Sequence, residues 1–269
     1  MSAAEYAELG EICRQTAYEV GERVLRWRRE RLTVASETKS TPTDAVTEAD
    51  RMAEDLIRER LMRARPDAAW WGEESGRASG ADAVSGGAGL EWVVDPIDGT
   101  TNFLYDLPGW AVSIAAREGS NSVAAAVHIP TLGATFTAVL GEGSFLHDAN
   151  GRRQLAASTV SELPTALIAT GFAYDARVRT RQGSLVGAMV GRVRDIRRAG
   201  AASVDLCAVA AGRVDAYFEH GLEPWDLAAG SLIAQEAGAV VYERPSGTTV
   251  AAGRAIAPAL KALLDELGD

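Results

Sequence analysis

Apolar residues recur at helical spacing near the start of the chain. The positions that would share one helix face are Ala7, Leu9, Ile12, Ala17, Val20, Val24 and Trp27. This periodicity predicts a long amphipathic helix over residues 3–30. A polar segment over 38–47 follows, and Thr47 is suited to cap a second helix over 48–64, which Pro66 ends. The pattern predicts further helices over 177–193, 203–211, 225–236 and 257–267.

Short apolar runs between turn residues predict the strands. In residues 90–95 the apolar side chains are adjacent, as in a strand covered on both faces, and Pro96 should end that strand. A turn or short helix is predicted at 99–103, a loop at the Gly/Ser/Ala-rich segment 76–89 and a hairpin at Asn150-Gly151. The other predicted strands cover 68–71, 111–117, 122–129, 135–140, 166–170, 214–218 and 239–242.

The order of these elements predicts an α/β (α+β) protein with stacked layers of helix and sheet. We expect residues 1–150 to form an N-terminal α+β half and residues 151–269 to form a C-terminal α/β half, packed together as one catalytic unit. A chain of 269 residues is long enough to bury a substantial core in this arrangement.

Composition excludes several classes of protein. The net charge is −10, from 27 basic and 37 acidic residues, which argues against general nucleic-acid binding. No apolar run approaches the ~20 residues of a membrane-spanning helix, and the first residues lack the pattern of a signal peptide. With only two cysteines, a disulfide framework is not expected. The sequence therefore predicts a cytoplasmic protein without a membrane or nucleic-acid partner.

The strongest chemical signal is a pair of aspartates at the end of the predicted strand 90–95. Asp95 and Asp98 lie three residues apart, Pro96 fixes the turn between them, and Gly99 lets the backbone approach a ligand closely. A short helix beginning near Gly99 would point free amides at an anion. One segment thus offers cation ligands beside a phosphate site. The alternative is that Asp98 only caps a helix.

Three further acidic segments each have a simpler explanation when taken alone. Gly72-Glu73-Glu74 follows a strand and would be a solvated loop. Pro224-Trp225-Asp226 precedes a helix, which Asp226 would cap. Lys39-Ser40-x-x-x-Asp44-x-x-Thr47-x-x-Asp50 would be a polar loop and a helix start. Because the chain has only three histidines, a metal site would need oxygen ligands, which favours Mg²⁺.

At this order and spacing the four segments resemble the inositol monophosphatase family, part of a wider superfamily of metal-dependent, lithium-sensitive phosphatases. The resemblance covers almost the whole chain and includes segments 198–207 and 212–221. It implies a layered α/β/α/β/α sandwich, a homodimer, inhibition by Li⁺, and two or three Mg²⁺ ions per active site. It also implies hydrolysis of inositol 1-phosphate, a small phosphorylated polyol, by metal-activated water.

The resemblance assigns metal ligands position by position. Glu73, Asp95 and the Ile97 carbonyl would hold one ion, and Glu73 would take part in catalysis as well. Asp95 would bridge to a second ion held by Asp98 and Asp226, and Asp98 would also contact the substrate. The chemistry agrees, because four carboxylates balance two Mg²⁺ ions, and without cations a pair 4 Å apart repels by about 4 kcal/mol at an effective dielectric of 20.

The resemblance also assigns residues to water and substrate. Asp50 and Thr100 would position the attacking water, and the amides of Gly99 and Thr100 would hold phosphate. Glu219 and the region of Ala202 would contact the substrate hydroxyls.

Supporting roles fall to Lys39, near the metal and phosphate, and Glu74, beside a weaker third ion. The chain departs from the family at Ala201, where a hydroxyl residue is frequent, so substrate preference is less constrained than metal chemistry. Two alternatives stay open. The same site would suit histidinol phosphate, fructose 1,6-bisphosphate or a 3′-phosphonucleotide, or the chain is a homologue with a protein-binding regulatory role.

Overall fold

Seven α-helices form in the part of the chain that the structure describes. The structure is a computed structural model that describes residues 1–39, 45–78 and 89–269, with only the backbone of 45 and 46. The helices are α1 (Ala3–Arg29), α2 (Glu48–Ala64), α3 (Thr100–Leu104), α4 (Ala176–Met189), α5 (Ala202–Ala210), α6 (Pro224–Glu236) and α7 (Ala257–Leu267).

The strands of the described residues form two large sheets and one small one. The small sheet pairs β1 (Ser36–Thr38) with β2 (Ala45–Thr47). The first large sheet contains β3 (Ala69–Gly72), β4 (Gly76–Ala78), β5 (Leu90–Asp98), β6 (Ala111–Glu118), β7 (Asn121–Ile129), β8 (Ala134–Val139), β9 (Gly143–Asp148) and β10 (Gly151–Gln154). The second contains β11 (Leu167–Thr170), β12 (Asp195–Arg197), β13 (Ala216–His220), β14 (Ala239–Glu243) and β15 (Thr248–Gly253).

The first large sheet is covered by helices on both faces. Its strand order is β10-β9-β8-β7-β6-β5-β3-β4, and only β3 and β5 run parallel. Successive side chains of a strand point to opposite faces. Val94 and Ile114 therefore pack against α1 and α2, whereas Val93 and Ala115 pack against α5 and α6 on the other side. This alternation fixes the sheet between two helical layers.

The second sheet lies on the other side of α5 and α6. Its strand order is β12-β11-β13-β15-β14, with β11 parallel to both of its neighbours. Tyr217 and Ala251 face α5 and α6, whereas Phe218 and Val250 pack against α4 and α7. The layers are α1–α2, sheet, α5–α6, sheet, and α4–α7. The predicted α/β/α/β/α sandwich is confirmed.

Several predicted boundaries are confirmed because capping or turn residues mark them. Thr47 caps α2 with its hydroxyl, as predicted, and α2 and α7 have the predicted bounds. The hairpin at Asn150-Gly151 joins β9 to β10, and Gly151 begins β10 with a φ of 97°.

Cys13 and Cys207 are free and buried. Among the described helices, none is both long and apolar enough to cross a membrane.

Other predicted boundaries are wrong. Pro96 does not end β5, because the strand pairing with β6 shifts in register between Asp95 and Asp98 and resumes at Asp98. A register irregularity is one of the few places where a strand tolerates proline, which has no N–H for the ladder. Helix α4 ends at Met189 rather than 193, shortly before Gly191, a poor helix former.

The predicted loops contain short strands. The loop over 38–47 includes the end of β1 and all of β2, and the loop over 76–89 begins with β4, which pairs with β3. The predicted motif residues Ser40 and Asp44, and the segment 79–88, lie outside the described residues. Strands β12 and β15 were not predicted. The first has only three residues, and in the second the strand formers Thr248, Thr249 and Val250 are followed by Ala and Gly, which interrupt the signal.

Candidate active site

Three aspartates from two elements converge where the first large sheet meets α6. Ligand oxygens of Asp95, Asp98 and Asp226 all lie within 4.8 Å of one another. The register shift in β5 delivers the first two, and the amide of Ile97 donates to Asp95 Oδ1 at 3.0 Å. Asp226 is the third residue of α6 and accepts from the amide of Glu223 at 2.7 Å, so it is not the N-cap of the helix.

Burial leaves these carboxylates poorly neutralised. Asp95 is 2% exposed and Asp98 7% exposed. Burial, and then the negative charges of Glu73, Asp98 and Asp226, raise the pKa of Asp95 well above its ordinary value. Burial also raises the pKa of Asp98 to about 6 and that of Asp226 well above its ordinary value. Carboxylates in such a group are costly to ionise unless a cation joins them.

Glu73 and Glu74 lie beside this cluster on the turn that follows β3. Lys39 Nζ donates to Glu73 Oε1 at 2.8 Å and to Glu74 Oε1 at 2.6 Å. Burial opposes the charge on Lys39, but the two glutamates outweigh it and raise the lysine pKa. Burial raises the pKa of Glu74 to about 7. The structure thus brings Lys39, Glu73 and Glu74 together, as the resemblance implies.

The turn is held by Glu54, which sequence reasoning missed. The Glu54 carboxylate is buried and accepts from the amides of Glu74 and Ser75, each at 2.8 Å. A side chain on Gly72 would meet Glu54 Oε2 at 2.6 Å, so the glycine makes room for this contact. A signal existed in the sequence, because Glu54 lies on the apolar face of α2 one turn after Asp50.

Asp50 and Thr100 are neighbours although fifty residues separate them. Thr100 Oγ1 donates to Asp50 Oδ1 at 3.3 Å and lies 3.2 Å from the carbonyl of Ile97. Asp50 also completes the cap of α2 by accepting from the amide of Thr47 at 2.8 Å. Burial raises the pKa of Asp50 to about 6. The pair assigned to the water is therefore assembled, and Asp50 has a structural role as well.

The predicted turn at 99–103 is helix α3, and Gly99 is its N-cap with a φ of 90°. A side chain there would also meet Ala201 Cβ at 3.1 Å and the carbonyl of Gly109 at 3.2 Å. Ala201 is the N-cap of α5 and supplies no side-chain cap. Asp98 does so from β5, since its Oδ2 accepts from the amide of Ser203 at 2.7 Å. Asp98 therefore caps α5 rather than α3.

Glu219 lies within β13, whose observed bounds are two residues later than predicted. Its Oε2 accepts from the hydroxyl of Tyr217 at 2.6 Å. Burial raises the pKa of Glu219 to about 7. Asp205 of α5 is buried nearby, and burial, then the charges of Glu219 and Asp98, raise its pKa to about 8. Ala202 begins α5 beside Ala201. Tyr217 was missed because a tyrosine inside an apolar strand carries no chemical signal. Asp205 was also missed, although an acidic residue inside an apolar helix is the same signal that Glu54 carries.

The donor set fits a hard divalent cation. All of the clustered side chains offer carboxylate oxygens, the ligand type of Mg²⁺. Asp95 and Asp98 are buried, and the pKa values of all three aspartates are raised, which indicates that nearby positive charge of the protein does not neutralise them. A bound cation would satisfy them all at once.

Metal-free protein should lose stability as the pH rises. The pKa of Asp98 is raised to about 6, that of Glu219 to about 7 and that of Asp205 to about 8. A raised carboxyl pKa favours the protonated folded state, so its contribution is complete below the unfolded pKa near 4 and is lost through about pH 6 to 8. One such group accounts for on the order of 3 kcal/mol. Urea unfolding in chelator at several pH values measures this trend.

Saturating Mg²⁺ should reverse that trend, because a cation bound by ionised carboxylates stabilises the folded state most at high pH. Metal-free stability that stays level or rises between about pH 5 and 9 would contradict the inference that these buried carboxylates are uncompensated.

Comparison with known proteins gives matches along nearly the whole chain. A family model described as the inositol monophosphatase family matches residues 5–268. Inositol-1-monophosphatase SuhB of Mycobacterium tuberculosis is 45% identical over 234 residues, 87% of this chain and 80% of that protein. Nus factor SuhB of Escherichia coli K12 is 40% identical over 235 residues, 84% of this chain and 85% of that protein.

Solved structures match the fold to the same extent. Mycobacterium tuberculosis SuhB superimposes with a TM-score of 0.84 at 41% identity and covers 97% of each chain. The Thermotoga maritima IMPase superimposes with a TM-score of 0.81 at 29% identity, covering 94% of this chain and 95% of that one. The similarity therefore extends over both large sheets and their helices.

Proposed function

The chain belongs to the inositol monophosphatase family, and we propose that it hydrolyses inositol 1-phosphate to inositol and phosphate with water as the nucleophile. It is an enzyme of the phosphatase class, as its family and its 45% identical relative indicate. The observation that carries the proposal is the group formed by Asp95 and Asp98, which are buried, and Asp226, which is half-buried, with ligand oxygens within 4.8 Å of one another.

Mg²⁺ is the proposed cofactor, with two or three ions per site. Glu73, Asp95 and the carbonyl of Ile97 would hold one ion, and Asp95, Asp98 and Asp226 a second. The Ile97 carbonyl oxygen lies 3.2 Å from Thr100 Oγ1, and a carbonyl oxygen has two lone pairs, so one is available to a metal. Bound Mg²⁺ would neutralise phosphate charge and lower the pKa of water. Glu74 is the proposed ligand of a weaker third ion.

The chain's own residues would position the reactants. Thr100 and Asp50 form a hydrogen-bonded pair beside the cluster. Because the Thr100 hydroxyl donates its one proton to Asp50, its oxygen would accept a hydrogen bond from the water. The amides of Gly99 and Thr100 would hold phosphate, and the positive φ of Gly99 together with tight packing favours glycine at that position. Lys39 would add positive charge on the side of Glu73.

Glu219 and the start of α5 at Ala202 would form the polyol side of the site. Asp98 lies between the two regions, since it belongs to the aspartate cluster and also contributes to the raised pKa of Glu219. A carboxylate accepts hydrogen bonds from hydroxyl groups. This supports a polyol as the group that leaves with the ester oxygen.

A phosphate-release panel with and without Mg²⁺ tests the proposal. Inositol 1-phosphate should be hydrolysed only with Mg²⁺ and should have the highest kcat/KM in the panel. The panel should include histidinol phosphate, fructose 1,6-bisphosphate and a 3′-phosphonucleotide. A kcat/KM about a hundredfold higher for one of these corresponds to about 2.8 kcal/mol of transition-state preference. It would overturn inositol 1-phosphate as the substrate but not Mg²⁺-dependent hydrolysis as the reaction.

Mg²⁺ should raise the melting temperature. A ligand bound only by the folded state, at a hundred times its Kd, stabilises by about 2.7 kcal/mol. For a chain of this size that corresponds to about 5–10 °C. Differential scanning fluorimetry in chelator and in millimolar Mg²⁺ measures it. No shift would count against the site.

Ca²⁺ should also stabilise the folded protein but support little turnover, because its looser coordination misplaces the water. Li⁺ should inhibit turnover.

A regulatory role is a second candidate, supported by one observation. The Escherichia coli relative, 40% identical, is named a Nus factor, whereas the Mycobacterium tuberculosis relative is named a phosphatase. Replacing the gene with an Asp95→Asn allele separates the two roles. A phenotype present in a deletion strain but absent from the allele would establish a role that does not need turnover.

Two features carried by the resemblance remain proposals. A homodimer is supported by an exposed apolar surface on which Tyr105 is 75% exposed, Leu107 50% and Leu132 54%. The hydrogen bond from the amide of Gly109 to Thr131 brings the two loops of that surface together. The cytoplasm is the proposed location.

A further inference from the structure

The ends of two parallel strands bring Gly171 and Glu219 side by side. Strands β11 and β13 pair in register, with Thr170 opposite Phe218, and Thr170 Oγ1 donates to the carbonyl of Phe218 at 2.9 Å. Gly171 is the first residue after β11, and Glu219 is the next-to-last residue of β13. In open α/β sheets ligands bind at the carboxyl ends of the strands, and both residues lie at that end.

Gly171 provides the space that the Glu219 carboxylate occupies. A methyl group added at Gly171 would lie 1.8 Å from Glu219 Oε2, 2.1 Å from Cδ and 2.3 Å from Oε1. No side chain at position 171 is compatible with Glu219 where it stands. The backbone of Gly171 is not in the left-handed region, so space rather than conformation requires the glycine.

Tyr217 fixes one oxygen of the same carboxylate. The tyrosine is fully buried, and its hydroxyl donates to Glu219 Oε2 at 2.6 Å. Within the described residues no other hydrogen bond reaches the Glu219 carboxylate, so Oε1 is free to accept one. Gly171 thus leaves the space for the carboxylate, and Tyr217 holds one of its oxygens.

We propose that Gly171 and Tyr217 are positioning residues that seat Glu219 and thereby determine which phosphate esters the enzyme prefers. The inference rests on the proposed contact of Glu219 with substrate hydroxyls. A fixed carboxylate with one free acceptor selects a leaving group that carries a hydrogen-bond donor, as a polyol does. It disfavours a second phosphate at the same place, because two anions would be held together away from bulk water.

The test compares inositol 1-phosphate with phenyl phosphate, which has no hydroxyl group to offer. Glu219→Ala should lower the ratio of the two kcat/KM values about tenfold to a hundredfold, the worth of a hydrogen bond to a charged group. Gly171→Ala should lower the ratio by a similar factor by displacing the carboxylate. Tyr217→Phe should lower it by a smaller factor, since Gly171 still leaves the space.

A double-mutant cycle gives the deciding result. Glu219→Ala removes the three atoms nearest to a methyl group at 171, which would lie 1.8 Å, 2.1 Å and 2.3 Å from it. Gly171→Ala should therefore have no further effect on the ratio in that background. It should also lower the melting temperature of the wild type more than that of Glu219→Ala, a readout that needs no substrate. Gly183→Ala is the matched control, because a side chain at Gly183 of α4 meets nothing within 4 Å.

The inference is overturned if Glu219→Ala or Gly171→Ala leaves the ratio unchanged, or if the two effects add. Failure of the proposed function gives a different result. If the wild type prefers another phosphate ester, the same cycle on that ester decides the positioning roles, while the preference itself overturns inositol 1-phosphate.

Discussion

Asp95→Asn should abolish turnover and Mg²⁺ binding together. Asp95 is the most enclosed member of the aspartate cluster, 2% exposed, and Glu73, Asp98 and Asp226 all act on its pKa. The substitution removes one negative charge from the proposed metal site. One unit charge pair about 4 Å apart is worth about 4 kcal/mol at an effective dielectric of 20, which corresponds to about 10³-fold in metal affinity.

Asp95→Asn should raise the stability of the metal-free protein and remove the stabilisation by Mg²⁺, and this combination makes the prediction specific. The introduced asparagine keeps a side-chain oxygen for the amide of Ile97, the hydrogen bond that Asp95 Oδ1 now accepts at 3.0 Å. The variant also removes a buried charge that lacks a counterion, so metal-free protein should be more stable than the wild type near pH 8. Its melting temperature should then fail to respond to Mg²⁺. Isothermal titration, scanning fluorimetry and steady-state kinetics measure the three effects.

Asp205→Asn is the matched control. Asp205 is also a buried aspartate whose pKa is raised, to about 8, but it lies outside the group of three. Its substitution should stabilise metal-free protein in the same way and leave the Mg²⁺ response in place. Retention of Mg²⁺ binding by Asp95→Asn, or its loss in Asp205→Asn, would refute the assignment of Asp95 as the shared ligand.

Local features mark several of the residues that sequence reasoning identified, whereas the resemblance to the family assigned their roles. Asp95 and Asp98 lie at the end of an apolar strand, and Asp226 lies at the start of a helix. Thr47 marks the start of α2, and Pro66 marks its end. At strand ends and helix starts, where side chains point out of the apolar core, an acidic residue interrupts the apolar pattern and can be recognised in the sequence. The layered fold was predictable in the same way, since the periods of 2 and 3.6 follow from backbone geometry.

The contacts that were missed act across the fold. Glu54 holds a turn 20 residues away, and Asp98, which was identified as an acidic residue, also caps a helix 105 residues away. Gly171 matters through a carboxylate on a neighbouring strand. Such contacts arise only when layers pack, so spacing along the chain does not encode them. Pro96 failed as a strand end for a related reason, because the partner strand β6 accommodates the irregularity.

Thr100→Ala should slow turnover sharply while leaving Mg²⁺ affinity almost unchanged. The hydroxyl of Thr100 is buried and lies 3.3 Å from Asp50 Oδ1, but it is not one of the clustered carboxylates. Its loss would leave a nucleophilic water without one of its two positioning groups. A displacement of ~1 Å at a reacting atom costs about 10²-fold in rate, so kcat should fall by about that factor.

Thr101→Ala is the matched control for Thr100→Ala. Thr101 lies on the same short helix α3, and within the described part of the chain its hydroxyl makes no hydrogen bond. Its kcat and Mg²⁺ affinity should stay close to the wild-type values. An equal fall in kcat for the two variants would point to damage to α3 rather than to a misplaced water.

Asp50→Asn should resemble Thr100→Ala in kcat, and the double variant should be much less than additive, because the two groups act on the same water. Asp50 also accepts from the amide of Thr47 at the start of α2. The effect of Asp50→Asn on kcat must therefore be separated from its effect on the stability of the helix. Asparagine keeps one carbonyl oxygen for that amide, so the melting temperature should fall little, and metal titration should again show nearly wild-type affinity. Full additivity of the two substitutions, or a loss of Mg²⁺ binding in Thr100→Ala as complete as in Asp95→Asn, would show that the hydroxyl and the carboxylate do not share a water beside an intact metal site.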